Sequence, residues 1–398
     1  MRRFGTARQR ELAEVAEGLA GPIAERAARY DEENRYPFES FAELRKAGLH
    51  RVSVPAELGG GGAAPGDLFP MLERLAAADG STGLTLNMHI AALGLLADAW
   101  RASGNERLEW LLREAAADRV LIAGVNSERG VHNPYLDTRT AAERVPGGYR
   151  LTGRKSFGTN IEVATHMFSM ARRTDEPDGR PMITMFTIPV DTPGVRVHRT
   201  WNTLGMRGTQ SHDVELDGVF VPDDQVLASY PPGHYGGLAR GLHRWAQPTF
   251  GAVYTGVALG GMEWTRGFAE RDGRADDRFV RDVLAECELL LESSRAVLYR
   301  HAAEDEEGHA DELPLRELVA RAAMVKTVCT GNAIEIMNRL AEVVGGAGLA
   351  RALPFERMWR DVQAGRVMPF NRRTALELIG AASFGADLPE TAEPTDAS

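Results

Sequence analysis

Phe157 and Thr159 are the residues whose types and spacing first suggest chemistry in this sequence. They lie near the end of the stretch 147–160, in which Tyr149 and Leu151 alternate with polar neighbours as in a half-buried strand. A glycine interrupts the alternation, so we expect two short strands around a tight turn. An aromatic ring can cover one face of a flavin isoalloxazine, and a nearby hydroxyl can hydrogen-bond its polar edge. The stretch is therefore a candidate flavin wall, although most hairpins of this kind carry no chemistry.

The composition is that of an ordinary globular protein, with 398 residues, 43% apolar and 26% charged. The net charge is −10 and Lys and Arg are not clustered, which argues against a nucleic-acid partner. No continuous apolar run is long enough to span a membrane, and no such run follows the first residues as in an export signal, so we expect a cytoplasmic protein. Cys287 and Cys329 have the pattern of helical core residues, and no metal site is indicated.

The pattern along the chain predicts three domains and a tail, in an α+β fold. Residues 1–118 have helical spacing, and 119–232 alternate strand patterns with turn signals, as in a β-barrel or sandwich. Residues 233–386 are helical again and suggest a four-helix bundle. Residues 387–398 are polar and contain proline, so we expect a flexible tail.

One predicted helix, from Ser81 to Ala102, is almost entirely small and apolar, so it should be buried on most sides. His89 lies within it. A lone histidine in such a helix is more often a core residue with its hydrogen bonds satisfied; the alternative is that it faces a ligand.

Several segments, taken in order, resemble the acyl-CoA dehydrogenase superfamily over about residues 7 to 385. Ser127-Glu128-Arg129-Gly130 stands where the family has a Thr-Glu-Pro-Gly element. The stretch from Lys155 to Asn160 matches a Lys-x-aromatic-x-Thr-Asn segment. The other matching segments are Tyr36 to Gly60, Thr203 to Thr209, Val219 to Pro222, Val343 to Gly348 and Pro354 to Asp361.

The resemblance implies FAD between the β-domain and the C-terminal helices. Ser127 and Thr159 would hydrogen-bond the ring edge, and Phe157 would pack on one face. Three glycines would let the backbone approach the cofactor of a neighbouring subunit, or would simply end a helix: Gly345, Gly346 and Gly348. The resemblance also implies a homo-oligomer, usually a tetramer, and an electron-transfer flavoprotein as partner. An Arg-x-x-Phe-Gly segment that binds FAD phosphates in the family is degraded here at Arg271 to Ala275.

The sequence departs from the family at the catalytic base. In the family a Glu removes the α-proton of an acyl thioester while the β-hydrogen leaves as hydride. The usual place falls here on Pro369, and the place used by some relatives falls near Ala246-Gln247. Neither proline nor alanine can accept a proton. Glu377 is a candidate substitute base, although it also has the spacing of a helix-face pair with Arg373.

Two enzymatic functions therefore remain open, and the first is our main prediction. It is an FAD-dependent oxidoreductase of acyl-CoA dehydrogenase type, acting on a CoA or carrier-protein thioester. The alternative is a two-component monooxygenase of the same fold, which takes reduced FMN or FAD from a flavin reductase. Such enzymes lack the Glu and use a C4a-hydroperoxyflavin to oxygenate a small apolar or heteroatom-containing substrate. They need a pocket that excludes water and a proton donor to the peroxide. His89 and Ser127 are candidates for the proton donor. A degenerate, non-enzymatic flavoprotein is a third possibility.

Overall fold

The computed structural model describes residues 5–234, 238–308 and 312–386. The predicted tail, 387–398, lies outside the described residues. Helices precede and follow a β-region, which confirms the predicted order of an α+β fold. Within the described chain, no helix is long and apolar enough to cross a membrane. Both cysteines are buried and unpaired, as predicted.

The N-terminal helices surround a central helix that later forms one wall of the site. They are α1 (Ala7–Glu32), α2 (Phe38–Lys46), α3 (Phe69–Ala78), α4 (Gly80–Ser103) and α5 (Glu106–Ala116). Helix α4 begins where the Asp79 carboxylate accepts a 2.9 Å hydrogen bond from the Thr82 backbone amide, which satisfies a free N–H of the first turn. It ends at Gly104, whose φ of 63° is left-handed. Because its side chains are mostly apolar, α4 is buried along most of its length.

The middle region forms one sheet whose strands are β1 (Ile122–Gly124), β2 (Ala141–Val145), β3 (Gly148–Gly158), β4 (His166–Arg173), β5 (Met182–Pro189), β6 (Val195–His198), β7 (His212–Pro222) and β8 (Val226–Tyr230). The strand order is β6-β7-β3-β2-β4-β5-β8. Strand β1 pairs in parallel with β4. The other neighbours are antiparallel, except for a single parallel pairing between β2 and β4.

The hairpin expected around Gly153 is wrong. Residues 148–158 form the single long strand β3, which shifts register against β7 near Gly153. The tight turn comes earlier, at Gly147, where φ is 80°. Gly153 has a packing role instead, because a Cβ there would lie 2.4 Å from Thr140 Oγ1. The strand interior therefore needs glycine so that a neighbouring segment can approach it.

The C-terminal region comprises α6 (Leu238–Gly241), a π-helix (Leu242–Ala246), α7 (Gln247–Arg271), α8 (Arg278–Glu306), α9 (Leu315–Val344), α10 (Pro354–Gln363) and α11 (Arg372–Ser383). Helix α7 packs tightly on α3, since Cβ atoms at Gly256 and Gly260 would each lie 2.4 Å from a backbone oxygen of α3. One apolar core joins both helical regions and reaches Phe168 and Met170 of the sheet. This shared core fixes α4, the sheet and α7 around the site.

Candidate flavin site

A cavity of about 600 Å³ lies where α4, one end of the sheet, the π-helix and the segment after α10 meet. Three of the predicted flavin-binding residues line it: Ser127, Phe157 and Thr159. The segment 201–211, which connects β6 to β7, contributes another part of the wall. The structure thus brings together residues that are far apart in the sequence.

A row of hydroxyl groups begins at Thr159. Its Oγ1 lies 2.7 Å from Ser211 Oγ, and Ser211 Oγ lies 2.9 Å from Thr209 Oγ1. The row ends where Thr209 Oγ1 donates a 2.9 Å hydrogen bond to the Met206 carbonyl oxygen. Because the Thr209 proton goes to Met206, Ser211 donates to Thr209 and Thr159 donates to Ser211, so Thr159 Oγ1 can accept a hydrogen bond from a ring edge.

Phe157 lies beside this row and is 60% exposed, which is unusual for a large aromatic side chain in a strand. Its ring stands edge-to-face with Trp201, with 6.0 Å between ring centroids. The Phe157 backbone has a φ of 62°, a strained value for a bulky residue that occurs mostly where function requires it. An aromatic pair with one exposed member next to a row of hydroxyls fits a flat ring with one polar edge, such as isoalloxazine.

Two further polar groups of the cavity wall were not found from the sequence. The buried Oδ1 of Asn126 has no hydrogen-bond partner in the described part of the chain. The Tyr135 side chain also lines the cavity, and desolvation raises its pKa to about 12, so its hydroxyl stays protonated at neutral pH. These two lining residues therefore contribute one acceptor and one donor to the wall of the cavity. The unpartnered acceptor is a second observation that fits a ring carrying an N–H group.

Glu128 is the one carboxylate among the described cavity-lining residues, and it is fully engaged. It accepts hydrogen bonds from Thr138 Oγ1, Thr140 Oγ1 and the Arg139 backbone amide at 2.6 to 2.7 Å, and it forms an ion pair with buried Lys155. Although burial opposes its charge, these partners hold the pKa of Glu128 at about 2. Glu128 is therefore a structural anion and a poor general base.

The two places where the family carries its base converge in space. Ala246 and Pro369 both line the cavity. The side chain of Gln247 is buried, and its Nε2 donates a hydrogen bond to the Pro369 carbonyl oxygen. A neutral amide and a backbone carbonyl thus meet where a carboxylate would be expected.

A buried lysine holds the segment 364–371, here called the base loop, through hydrogen bonds to its backbone. Lys326 Nζ donates hydrogen bonds of 2.7, 2.8 and 2.9 Å to the carbonyl oxygens of Gly365, Met368 and Phe370. Desolvation lowers the pKa of Lys326 to about 7. The base loop therefore curls around one amine, which fixes its cavity-lining residues Val367 and Pro369 among others.

His89 was a candidate for facing a ligand, with a role as a core residue as the more common alternative, and it does not line the cavity. Its Nδ1 accepts a 3.1 Å hydrogen bond from the Ile122 backbone amide, so the ring faces strand β1. Burial, with His50 nearby, lowers the pKa of His89 to about 3. Helix α4 does line the cavity, but through other residues, among them Leu84 and Met88. The proposed role of His89 as a proton donor remains a prediction without support from this geometry.

Glu377 and the three glycines also lie outside the cavity lining. Glu377 is half exposed and pairs with Arg373 at 2.9 Å, the helix-face pair considered above. Gly345 ends α9 with a φ of 62°, and Gly345 and Gly346 are exposed. An approach to a neighbouring subunit is compatible with this exposure and stays a prediction.

The comparisons with known proteins agree with this geometry. Three acyl-CoA dehydrogenase domain families match: the N-terminal domain over residues 6–113, the middle domain over 126–219 and the C-terminal domain over 245–387. The putative acyl-CoA dehydrogenase YdbM of Bacillus subtilis is 27% identical, covering 94% of this chain and 97% of YdbM.

Other relatives are named for reactions other than acyl-CoA dehydrogenation. L-evernosamine nitrososynthase of a Micromonospora species is 27% identical, covering 95% of this chain and 91% of the relative. Dibenzothiophene monooxygenase of Mycolicibacterium goodii is 28% identical, covering 82% of each chain. Among solved structures, KijD3 in complex with FMN and a dTDP-linked amino sugar is 28% identical and superposes with a TM-score of 0.87, covering 98% of this chain and 97% of KijD3.

Proposed function

Because this chain belongs to the acyl-CoA dehydrogenase family and is a flavin-dependent oxidoreductase, we propose that it is the oxygenating component of a two-component flavin monooxygenase. One observation carries this proposal: among the described residues, no carboxylate of the cavity lining is free to act as a base. Glu128 is the one carboxylate there, and its oxygens are engaged by hydrogen bonds and an ion pair. This favours the alternative function over the acyl-thioester dehydrogenase that we predicted first.

Desaturation of a thioester needs a positioned base, because the α-C–H is a weak acid. Gln247 cannot take up that proton, and its amide is already committed to the Pro369 carbonyl oxygen. Glu377 is held by Arg373 outside the cavity lining. No described carboxylate therefore combines access to the cavity with freedom to accept a proton.

Oxygenation places other demands on the protein. A bound reduced flavin supplies two electrons to O₂, so that one oxygen atom is transferred to the substrate and the other leaves as water. The protein must exclude bulk water and offer a hydrogen-bond donor that stays protonated. The apolar walls from α4 serve the first need, and the Tyr135 hydroxyl serves the second.

We propose reduced FMN, delivered by a separate reductase, as the flavin. Support comes from KijD3, whose structure contains FMN, and from the departure of Arg271 to Ala275 from the pattern that binds FAD phosphates in the family. Phe157, Thr159 and Ser127 would hold the ring, with Asn126 as a further acceptor. The relatives named monooxygenase and nitrososynthase also support addition of oxygen. YdbM, a putative acyl-CoA dehydrogenase, keeps desaturation as the second candidate.

The test compares the two half-reactions in the purified protein. In one arm, the protein loaded with oxidised FAD is mixed anaerobically with a pool of acyl-CoA thioesters. In the other, it is loaded with reduced FMN and mixed with O₂ in a stopped-flow instrument. We expect no bleaching in the first arm, and reoxidation in the second that is slower than for free FMN and occurs in more than one phase. Bleaching by acyl-CoA would overturn the proposal.

A further inference from the structure

One end of the cavity is built from apolar side chains. We call this end the apolar chamber, and its residues are Leu84, Met88, Ala91, Ala92, Leu95 and Phe250. Five of them lie on α4, and Phe250 on α7 faces them across the cavity. Burying a charged or strongly polar group against such a wall is unfavourable, whereas an apolar group gains by leaving water.

The chamber ends where α4 meets the π-helix. A Cβ at Gly94 would lie 2.2 Å from the Trp245 indole, and one at Gly241 would lie 2.8 Å from Leu95. These contacts leave no room between α4 and the π-helix at these positions. A ligand therefore cannot pass between the two helices there, which limits its length on that side.

The charges around the cavity are already paired. Arg360 binds Asp31 with two hydrogen bonds of 2.9 and 2.6 Å, binds Glu356 with two more, and donates to the Leu204 carbonyl oxygen. Its five N–H groups are thus used. The positive charge of Lys155 is matched by Glu128. A diphosphate needs charge-assisted bonds from cations, and the apolar chamber itself contains no lysine or arginine.

From these observations we infer that the apolar chamber binds a short, uncharged ring compound, aromatic or heteroaromatic, as the oxygen acceptor. The role as acceptor rests on the proposed function. Met88 and Phe250 provide a thioether and an aromatic surface, both of which favour contact with aromatic rings. The inference excludes nucleoside diphosphates and CoA thioesters as ligands of the apolar chamber.

Binding is tested directly by calorimetry on the FMN-loaded protein, with three probes: indole, dTDP and coenzyme A. We expect saturable binding of indole and none of the other two over the same concentration range. Ala91→Phe fills the chamber and should weaken indole binding at least about tenfold while FMN binding is unchanged. Ala102→Phe, at an exposed position of the same helix outside the cavity lining, is the matched control and should bind indole like the wild type.

A second variant keeps the test decisive if Ala91→Phe does not fold. Leu95→Ala deepens the chamber and should raise the affinity for dibenzothiophene relative to indole. Binding of dTDP or coenzyme A more tightly than indole, or unchanged ring binding in both variants, would overturn the inference. The experiment is independent of turnover: if indole binds as expected but O₂ yields no oxygenated product with any bound ring, the oxygenase proposal fails and the ligand class stands.

Discussion

The side-chain amide nitrogen of Gln247 lies 3.0 Å from the carbonyl oxygen of Pro369. The sequence resemblance predicts a catalytic carboxylate at Pro369 or near Ala246-Gln247. In this chain a neutral hydrogen bond between Gln247 and Pro369 ties the start of α7 to the base loop. Neither predicted position carries a carboxylate, and the two are joined by packing.

Replacing Gln247 by Glu should be tolerated at low pH and harmful at high pH. The new carboxyl would be buried beside a carbonyl oxygen, which raises its folded pKa above the unfolded value of about 4.3. The protonated form still donates to Pro369, so stability matches the wild type below that value. It should fall as pH rises, by roughly 3 kcal/mol at neutral pH and above. Thermal unfolding over this range tests the prediction. Gln247→Met, which removes the hydrogen bond without a charge, should show a loss that is independent of pH.

Removing the amine of Lys326 should loosen the base loop. Lys326→Met removes three hydrogen bonds to backbone carbonyl oxygens, which should cost about 3 kcal/mol of unfolding free energy. At a temperature where the variant is folded, indole binding should weaken because the loop forms part of the cavity wall. Val328→Met, at an exposed position of the same helix, is the control and should change neither quantity. Unaltered indole affinity in folded Lys326→Met would assign this lysine to stability alone.

Tyr135→Phe should separate oxygen transfer from flavin binding. The Tyr135 hydroxyl is the cavity donor expected to stay protonated, so its loss should reduce product formed per reduced flavin about a hundredfold. FMN affinity and melting temperature should stay near those of the wild type. His89→Ala offers the contrast: it removes the hydrogen bond to Ile122 and should cost about 1 kcal/mol of stability, with product yield retained. The reverse pattern would restore His89 as the donor.

Thr159→Val should weaken flavin binding. The substitution keeps the shape of the side chain and removes the hydroxyl that begins the row through Ser211. We expect the dissociation constant for FMN to rise about tenfold, the effect of one lost hydrogen bond. Fluorescence quenching of FMN measures it. Thr152→Val, at an exposed position of the preceding strand β3, should leave the constant unchanged. Equal affinities for all three proteins would place the ring edge elsewhere.

The Glu128–Lys155 pair predicts how the protein responds to acid. Because the folded pKa of Glu128 is depressed to about 2, its contribution to stability is complete above the unfolded value near 4.3 and is lost as pH falls towards 2. The shift corresponds to about 3 kcal/mol. The stability difference between wild type and Glu128→Gln should therefore be large at neutral pH and shrink below about pH 4. Urea unfolding at several pH values measures it, and a constant difference would argue against the pair.

Parts of the fold and the site could be predicted because they leave local signals in the sequence. The change from helical to alternating period marks the β-region, and residues 155–160 identify one cavity wall. Other features leave no such signal. A helix that is apolar on nearly all sides does not reveal which way His89 points. Tyr135 lies in an irregular segment without a period, and buried Lys326 cannot be distinguished by residue type from a surface lysine. These three placements depend on packing between distant segments.

The π-helix at 242–246 has a consequence for how this chamber could change. A π-turn holds one residue more than the α-turn it replaces. Deleting a single residue there would restore an α-helix and rotate the residues of this segment and α6 relative to α7. Leu242 and Trp245 would then present different faces to α4. The shape of the chamber near the π-helix would change, while the flavin wall would stay the same. Deleting one residue from this turn would thus change the length of the substrate that the chamber accepts by a large step. Side-chain substitutions on α4 would change it by smaller steps.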